Sequence, residues 1–402
     1  MIKRLTTLLA TALVAMAAMA AMAAGSGRYT VIVSLDGFRW DYAEAFDTPF
    51  FDQMARQGVK AVMSPSFPSK TFPNHYTLAT GLYPDHHGIV ANSFLDRSTG
   101  EVYSLGDARS RTNPRYYGGD PIWLTAKRQG VPTATVYWVG SDVAIKGGHA
   151  TYWHDYMKKP LLTFDERKAE VLRLLSLPEG KRPHLVMCYF EEPDHSGHSY
   201  GPVSKPTRRA IESLDSLLST MWTAIKALPI GSEVNLIVTG DHGMAWTGPD
   251  RTVPVMRHLK AEWIERVEGN LPGQVYVKRA DYADSVVAAL RGVDHIRVWK
   301  RADVPAYLHY GTNPRIGDVV VLPDVGWLFT DGRVPQGGSH GFDNTASDMQ
   351  VGFRAIGPDF KEGYAKPEKF RNVDVYPLLA HLLGVVPSPC DGNLNEVQDM
   401  LK

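Results

Sequence analysis

Thr71 lies in the stretch Pro68-Ser69-Lys70-Thr71-Phe72-Pro73-Asn74-His75. Pro73 fits the first position of a helix, where its missing N–H is no loss. Thr71 therefore falls at or just before a helix N-terminus, where free N–H groups and the dipole favour an anion such as phosphate. A hydroxyl held at an anion site becomes a candidate nucleophile once something lowers its pKa. Taken alone, the same threonine reads as a helix cap, and the rest of the chain must decide between the two.

The deciding residues are acids and histidines. Asp194 and His198 stand four apart beside Gly197 and Gly201, in what reads as a loop. Asp241 and His242 are neighbours in a turn closed by Gly243. His340 sits in a glycine-dense loop that lets a backbone come close to a ligand, and Asp36, in Asp36-Gly37, completes the set. Oxygen and nitrogen donors without sulfur suit zinc at a catalytic site with an open position for substrate. Three carboxylates and three imidazoles suffice for two metals, and metals about 3.5–4 Å apart can clamp the entering and leaving oxygens of an in-line displacement. A hydroxyl coordinated to such a metal loses its proton far more readily than a free one. Asn92 offers an amide donor to a phosphate oxygen, or is a plain turn asparagine. Most of the 14 histidines need no function; His75 and His195 lie close to the site in sequence and read as its supports.

These residues need elements to carry them. Tyr29–Leu35 is a short apolar run with no polar alternation, which predicts a buried parallel strand ending at Asp36. Further strands are expected over 59–63, 133–138, 184–190, 233–238 and 350–356. Helices are expected over 48–57, 122–129, 165–175, 205–228 and 373–383. Alternation at this spacing argues for βαβ units and a mostly parallel, doubly wound α/β sheet. Ligands bind beyond the carboxyl ends of such strands, and Asp36, Asp194, Asp241 and His242 all follow strand ends. From about 252 to 327 short strands and one helix predict a small α+β lobe. Residues 140–159 read as an irregular, aromatic-rich insertion.

The first 24 residues read as a signal peptide, with Lys3 and Arg4 before an apolar alanine-rich run and Ala21-Met22-Ala23 as the cleavage pattern. The expectation is an exported chain, periplasmic or secreted, with one catalytic domain over 25–402 and no transmembrane segment in the mature part. Cleavage takes Lys+Arg from 43 to 41 against 43 Asp+Glu. That near balance offers no electrostatic case for a nucleic-acid polymer or an anionic membrane. The two cysteines exclude a cysteine-built zinc cluster; Cys188 and Cys390 could pair after export, although Cys188 reads as part of a central strand.

Five short motifs, in order, resemble the nucleotide pyrophosphatase/phosphodiesterase family of the alkaline phosphatase superfamily. They are Val33–Arg39, Lys70–His75, Glu192-Pro193-Asp194 with Gly197-His198, Gly240–Met244 and Gly338–Asn344. The resemblance implies an alkaline-phosphatase-like core with a mostly parallel central sheet flanked by helices. It implies that Asp194, His198 and His340 hold one zinc, and that Asp36, Asp241 and His242 hold the other with Thr71 as nucleophile. Asn92 would bind a phosphate oxygen. Phe72 and Tyr156 look like the positions whose rings sandwich a nucleobase, and Trp138, Asp142 and Tyr189 like other pocket positions. The family's lysophospholipase D branch lacks most of the stretch matching 140–158, and this chain keeps it.

The expectation is a two-zinc hydrolase. It would cleave nucleotide phosphodiester and pyrophosphate bonds to nucleoside 5′-monophosphates through a phospho-threonine. The alternative within the family is a phospholipid or choline-phosphodiester substrate. A phosphomonoesterase would want an added cation beside the nucleophile, where only Lys70 stands, either steering phosphate or solvated. A metal-stabilised binding protein without catalysis would lack a ligand or the nucleophile, and none is missing.

Overall fold

A computed structural model describes residues 28–332, 334 and 336–402, so the expected signal peptide lies outside the described residues. The first part of the chain runs β1 (Tyr29–Leu35), α1 (Pro49–Gln57), β2 (Val59–Ser64), α2 (Thr71–Thr80), the hairpin β3 (Ser93–Asp96) and β4 (Glu101–Ser104), α3 (Ile122–Arg128), β5 (Thr133–Val136) and β6 (Tyr152–Trp153). It continues through α4 (Phe164–Leu175), β7 (Leu185–Phe190), α5 (Asp194–Tyr200), α6 (Lys205–Lys226), β8 (Val234–Thr239) and β9 (Ala245–Thr247). All seven residues of β1 are buried, as the unbroken apolar run requires. Its side chains alternate. Val31, Val33 and Leu35 pack with α1, α4 and α6, and Ile32 packs on the opposite face with α2 and α3. Burying each such side chain contributes about 1.5–3 kcal/mol.

The remainder comprises β10 (Ile264–Glu268), β11 (Gly273–Val277), α7 (Tyr282–Leu290), β12 (Ile296–Lys300), β13 (Val319–Pro323), β14 (Gly337–Ser339), β15 (Val351–Ile356), β16 (Tyr364–Ala365), β17 (Phe370–Arg371) and α8 (Val375–Leu383). The main sheet has the order β16-β2-β15-β8-β1-β7-β5-β6, with β17 also pairing β2. It is mostly parallel, but β15 runs antiparallel to both β2 and β8. A separate antiparallel sheet, β10-β11-β13-β12, lies outside it with its own apolar core under α7.

Three local expectations change. Pro73 is the third residue of α2, not the first, because α2 begins at Thr71 itself. Asp194 to His198 lies on the short helix α5 rather than in a loop. Cys188 and Cys390 are both unpaired, Cys188 being buried inside β7. Among the described residues no helix is long and apolar enough to cross a membrane.

Candidate active site

Six ligand-capable residues converge as two triads at the carboxyl edge of the main sheet. In the first, Asp194, His198 and His340 each offer an atom within 4.8 Å of the others. The helical register of α5 explains the spacing, since residues four apart share one face. His198 Nδ1 pairs with the Gly338 carbonyl at 2.8 Å, and His340 Nδ1 with the Ser69 carbonyl at 2.8 Å. Each carbonyl can only accept, so Nδ1 carries the proton and Nε2 is left with its lone pair. The two Nε2 atoms then face each other at 3.1 Å, an arrangement that repels unless a cation lies between them.

The second triad is Asp36, Asp241 and His242. His242 Nδ1 pairs with the Gly243 carbonyl at 2.9 Å, which again turns the Nε2 lone pair inward. That atom lies 2.9 Å from Asp241 Oδ2, 3.3 Å from Asp36 Oδ1 and 3.2 Å from Thr71 Oγ1. The outer oxygens are tied: Tyr189 donates to Asp36 Oδ2 at 2.7 Å, and the Gly37 N–H donates to Asp241 Oδ1 at 3.1 Å. Gly37 has φ +71°, and a Cβ there would come within 3.1 Å of Asp194 Cα, so this turn requires glycine. The rings of His242 and His340 stack 3.5 Å apart and join the triads.

Asp36 Oδ1, Asp194 Oδ1 and Asp241 Oδ2 are buried without a hydrogen-bond partner. Three buried carboxylates facing one another are costly unless neutralised. Burial, with Asp241 and Asp194 nearby, pushes the Asp36 carboxyl well above its usual range. Orphaned oxygens, inward lone pairs and a set of hard and borderline donors fit two divalent cations.

The supporting residues also have defined places. His75 Nδ1 lies 2.9 Å from the Thr71 carbonyl and 3.4 Å from Asp241 Oδ2, while its Nε2 lies 2.8 Å from Ser34 Oγ. Trp138 donates its indole N–H to the His75 carbonyl at 3.1 Å. His195, also on α5, is exposed to solvent. Lys70 runs under the His340 loop, where a Cβ on Gly341 would come within 2.5 Å of its Cε; burial pulls its ammonium down to about 8 against the opposing pull of Asp194. The side chain is half-buried rather than freely solvated. The Phe72 N–H, expected as an anion donor at the helix end, is already taken by Asn92 Oδ1 at 3.2 Å. That bond leaves Nδ2 as the amide's donor.

Next to the triads is a cavity of about 310 Å³. Thr71, Phe72, Asn92, Trp138, Asp142, Tyr156 and Tyr189 all line it, as the sequence led one to expect. Asp142 Oδ2 is buried there without a partner. Arg111, Leu105 and Tyr137 also line the cavity, and sequence reasoning missed them. Arg111 ends a one-turn helix over Ala108–Arg111, after β4, with its guanidinium 5.4 Å from the Tyr156 ring centre, and no motif marks it.

Residues 30–343 match the family model for type I phosphodiesterase / nucleotide pyrophosphatase. A venom phosphodiesterase from Crotalus durissus collilineatus is 35% identical over 92% of this chain and 46% of its own length. Ectonucleotide pyrophosphatase/phosphodiesterase family member 3 of Bos taurus is 34% identical over 92% of this chain and 44% of its own. The chain thus spans about half the length of these curated relatives. The solved structure of murine ectonucleotide pyrophosphatase/phosphodiesterase 5 superposes with a TM-score of 0.87 at 33% identity, covering 93% of this chain and all of that one. An inactive threonine-to-alanine form of the murine protein, solved in complex with AMP, matches equally well at 32% identity.

Proposed function

Because the chain belongs to the type I phosphodiesterase / nucleotide pyrophosphatase family, with its alkaline-phosphatase-like fold, we propose that it hydrolyses nucleotide phosphodiester and pyrophosphate bonds with Thr71 as nucleophile. The observation that carries this reading is Thr71 Oγ1 at 3.2 Å from His242 Nε2, beside two triads with orphaned carboxylate oxygens. Asp194, His198 and His340 would hold one Zn²⁺, and Asp36, Asp241 and His242, with Thr71, the other. Bound there, the cations would supply Lewis acidity to the phosphate and to the threonine hydroxyl.

The chain's own residues do the rest. The Thr71 hydroxyl gives up its proton to solvent, and its oxygen attacks phosphorus in line. The bond from phosphorus to the leaving group breaks, and the phospho-threonine formed carries the nucleoside still esterified to its phosphorus. Water then cleaves the threonine ester, restores the hydroxyl and releases a nucleoside 5′-monophosphate. Asn92 donates Nδ2 to a phosphate oxygen as negative charge develops. Phe72 and Tyr156 hold the base by stacking, which contributes about 1–3 kcal/mol for any base. Trp138, Asp142 and Tyr189 shape the pocket wall. We read residues 1–24 as the export signal and 25–402 as one catalytic domain with the small lobe inserted at about 252–327.

Comparing p-nitrophenyl esters tests the reading. Thymidine 5′-monophosphate p-nitrophenyl ester should turn over faster than p-nitrophenyl phosphate or p-nitrophenylphosphocholine, and chelation should stop it. Faster turnover of the monoester or of the phosphocholine ester overturns the substrate class, and activity that survives chelation overturns the metal sites.

A further inference from the structure

Asn92 lines the cavity from a bend directly before β3. Two bonds fix it directly: the Leu105 N–H donates to its carbonyl at 3.0 Å, and its Oδ1 accepts from Phe72. The next residue leaves the catalytic core altogether. Ser93 Oγ donates to Glu268 Oε2, on β10 of the small lobe, at 2.5 Å. Glu268 is 8% exposed, and its other oxygen is engaged by Arg266. A hydroxyl bonded to a carboxylate is among the shorter and stronger hydrogen bonds, and in a shielded setting it loses little to solvent. The lobe holds the rest of the strand as well. The Leu95 N–H donates to the Tyr276 hydroxyl at 3.1 Å, and Arg97 reaches Asp318 and Glu265 at 2.8 Å each.

We propose that Glu268 is a positioning residue for the reaction: through the Ser93 hydroxyl it sets the backbone of Asn92, so that Nδ2 meets the phosphate oxygen. This inference rests on the reading of Asn92 as the phosphate donor. A donor placed for a developing charge is sensitive to small displacements, and a shift of about 1 Å can cost up to about 100-fold in rate. The lobe therefore belongs to the catalytic machinery although none of its residues lines the cavity.

The test measures steady-state kinetics on thymidine 5′-monophosphate p-nitrophenyl ester. Variants are Glu268→Ala, Glu268→Gln, Ser93→Ala, Asn92→Ala and the double Ser93→Ala/Asn92→Ala, with Asp284→Ala, on the exposed face of α7 and paired with Lys300, as a lobe control. Glu268→Ala and Ser93→Ala should each lower kcat about tenfold, with KM within about twofold. Glu268→Gln keeps an acceptor oxygen and should recover most of the rate. Ser93→Ala should add nothing to Asn92→Ala, and Asp284→Ala should leave kcat unchanged. Should Glu268→Ala fail to fold, Ser93→Ala removes the same bond and leaves the lobe whole. Wild-type kcat in Ser93→Ala, or a full extra loss in the double variant, overturns the positioning role while the phosphate-donor reading stands. Wild-type kcat in Asn92→Ala, or no activity in the wild type, overturns that reading and the positioning role with it.

Discussion

The role proposed for Thr71 rests on what surrounds one oxygen. Its Oγ1 lies 3.2 Å from an imidazole nitrogen whose proton has been drawn to the other side of the ring by the Gly243 carbonyl. His242 thus offers a lone pair rather than a proton, and the same logic sets His198 and His340. Replacing Thr71 by Ala removes the attacking oxygen and leaves all six acid and histidine donors. Turnover of the thymidine ester should fall by at least about 1,000-fold, while metal content measured by mass spectrometry of the purified protein stays at the wild-type value. Loss of metal together with activity would make Thr71 a ligand only. Phe72 invites a different experiment, because its backbone N–H serves Asn92 and its ring faces the cavity. Phe72→Ala keeps the first and removes the second. It should raise KM for the thymidine ester about tenfold, in line with one lost stacking face. KM for p-nitrophenylphosphocholine, which has no base, should barely move, and an equal rise for both esters would deny Phe72 a stacking role.

Among the elements, α2 joins the site to the core, and its far side is locked by His87. That ring is fully buried: Nε2 lies 3.2 Å from the Pro73 carbonyl and 3.1 Å from Thr77 Oγ1, and Nδ1 accepts the Ile89 N–H at 3.2 Å. Burial pulls its pKa from 6.5 down to about 3. Below pH 6.5 the unfolded chain binds a proton that the fold refuses. The stability due to a neutral His87 is therefore complete above pH 6.5 and drains away as pH falls toward 3, at up to about 1.4 kcal/mol per pH unit. His87→Gln should flatten the pH dependence of the urea midpoint across that window, and an unchanged slope would assign the acid sensitivity elsewhere. The strands that carry the site were readable in advance because β1, β7 and β8 are buried throughout and so lack polar alternation. β10 was not readable: Ile-Glu-Arg-Val-Glu is half exposed, mixes charges with apolar residues, and pairs with the neighbouring β11 across a register shift. α5 was mistaken for a loop because Gly197 and Gly201 outweigh local propensity, while the backbone there is set by packing against β14. The six donors were legible because each follows a strand or a glycine turn, whereas Arg111 enters the cavity by tertiary placement alone.

At the scale of the whole molecule, the two triads concentrate a repulsion that the two proposed cations would relieve. Asp36, Asp194 and Asp241 each keep a buried oxygen without a partner, and three imidazole lone pairs point at the same space. These groups come from α5, the turn after β1, the turn after β8 and the loop after β14, so the repulsion acts between elements that otherwise pack together. The unfolded chain scatters the same groups and gains little from a cation. Binding to the fold alone stabilises it by about 4 kcal/mol per site at a free metal concentration about 1,000 times Kd, a large share of the roughly 5–15 kcal/mol that holds a typical domain. Chelation should accordingly lower the melting temperature by roughly 10 °C, and adding back Zn²⁺ in slight excess should restore it. Thr71→Ala should show the same drop, since its triads are intact, even though it has no turnover to lose. That separates a metal that holds the fold from one needed only for the reaction. A melting temperature indifferent to chelation in both proteins would mean that the carboxyl groups are neutralised by protons instead, and the two-cation site would have to be given up.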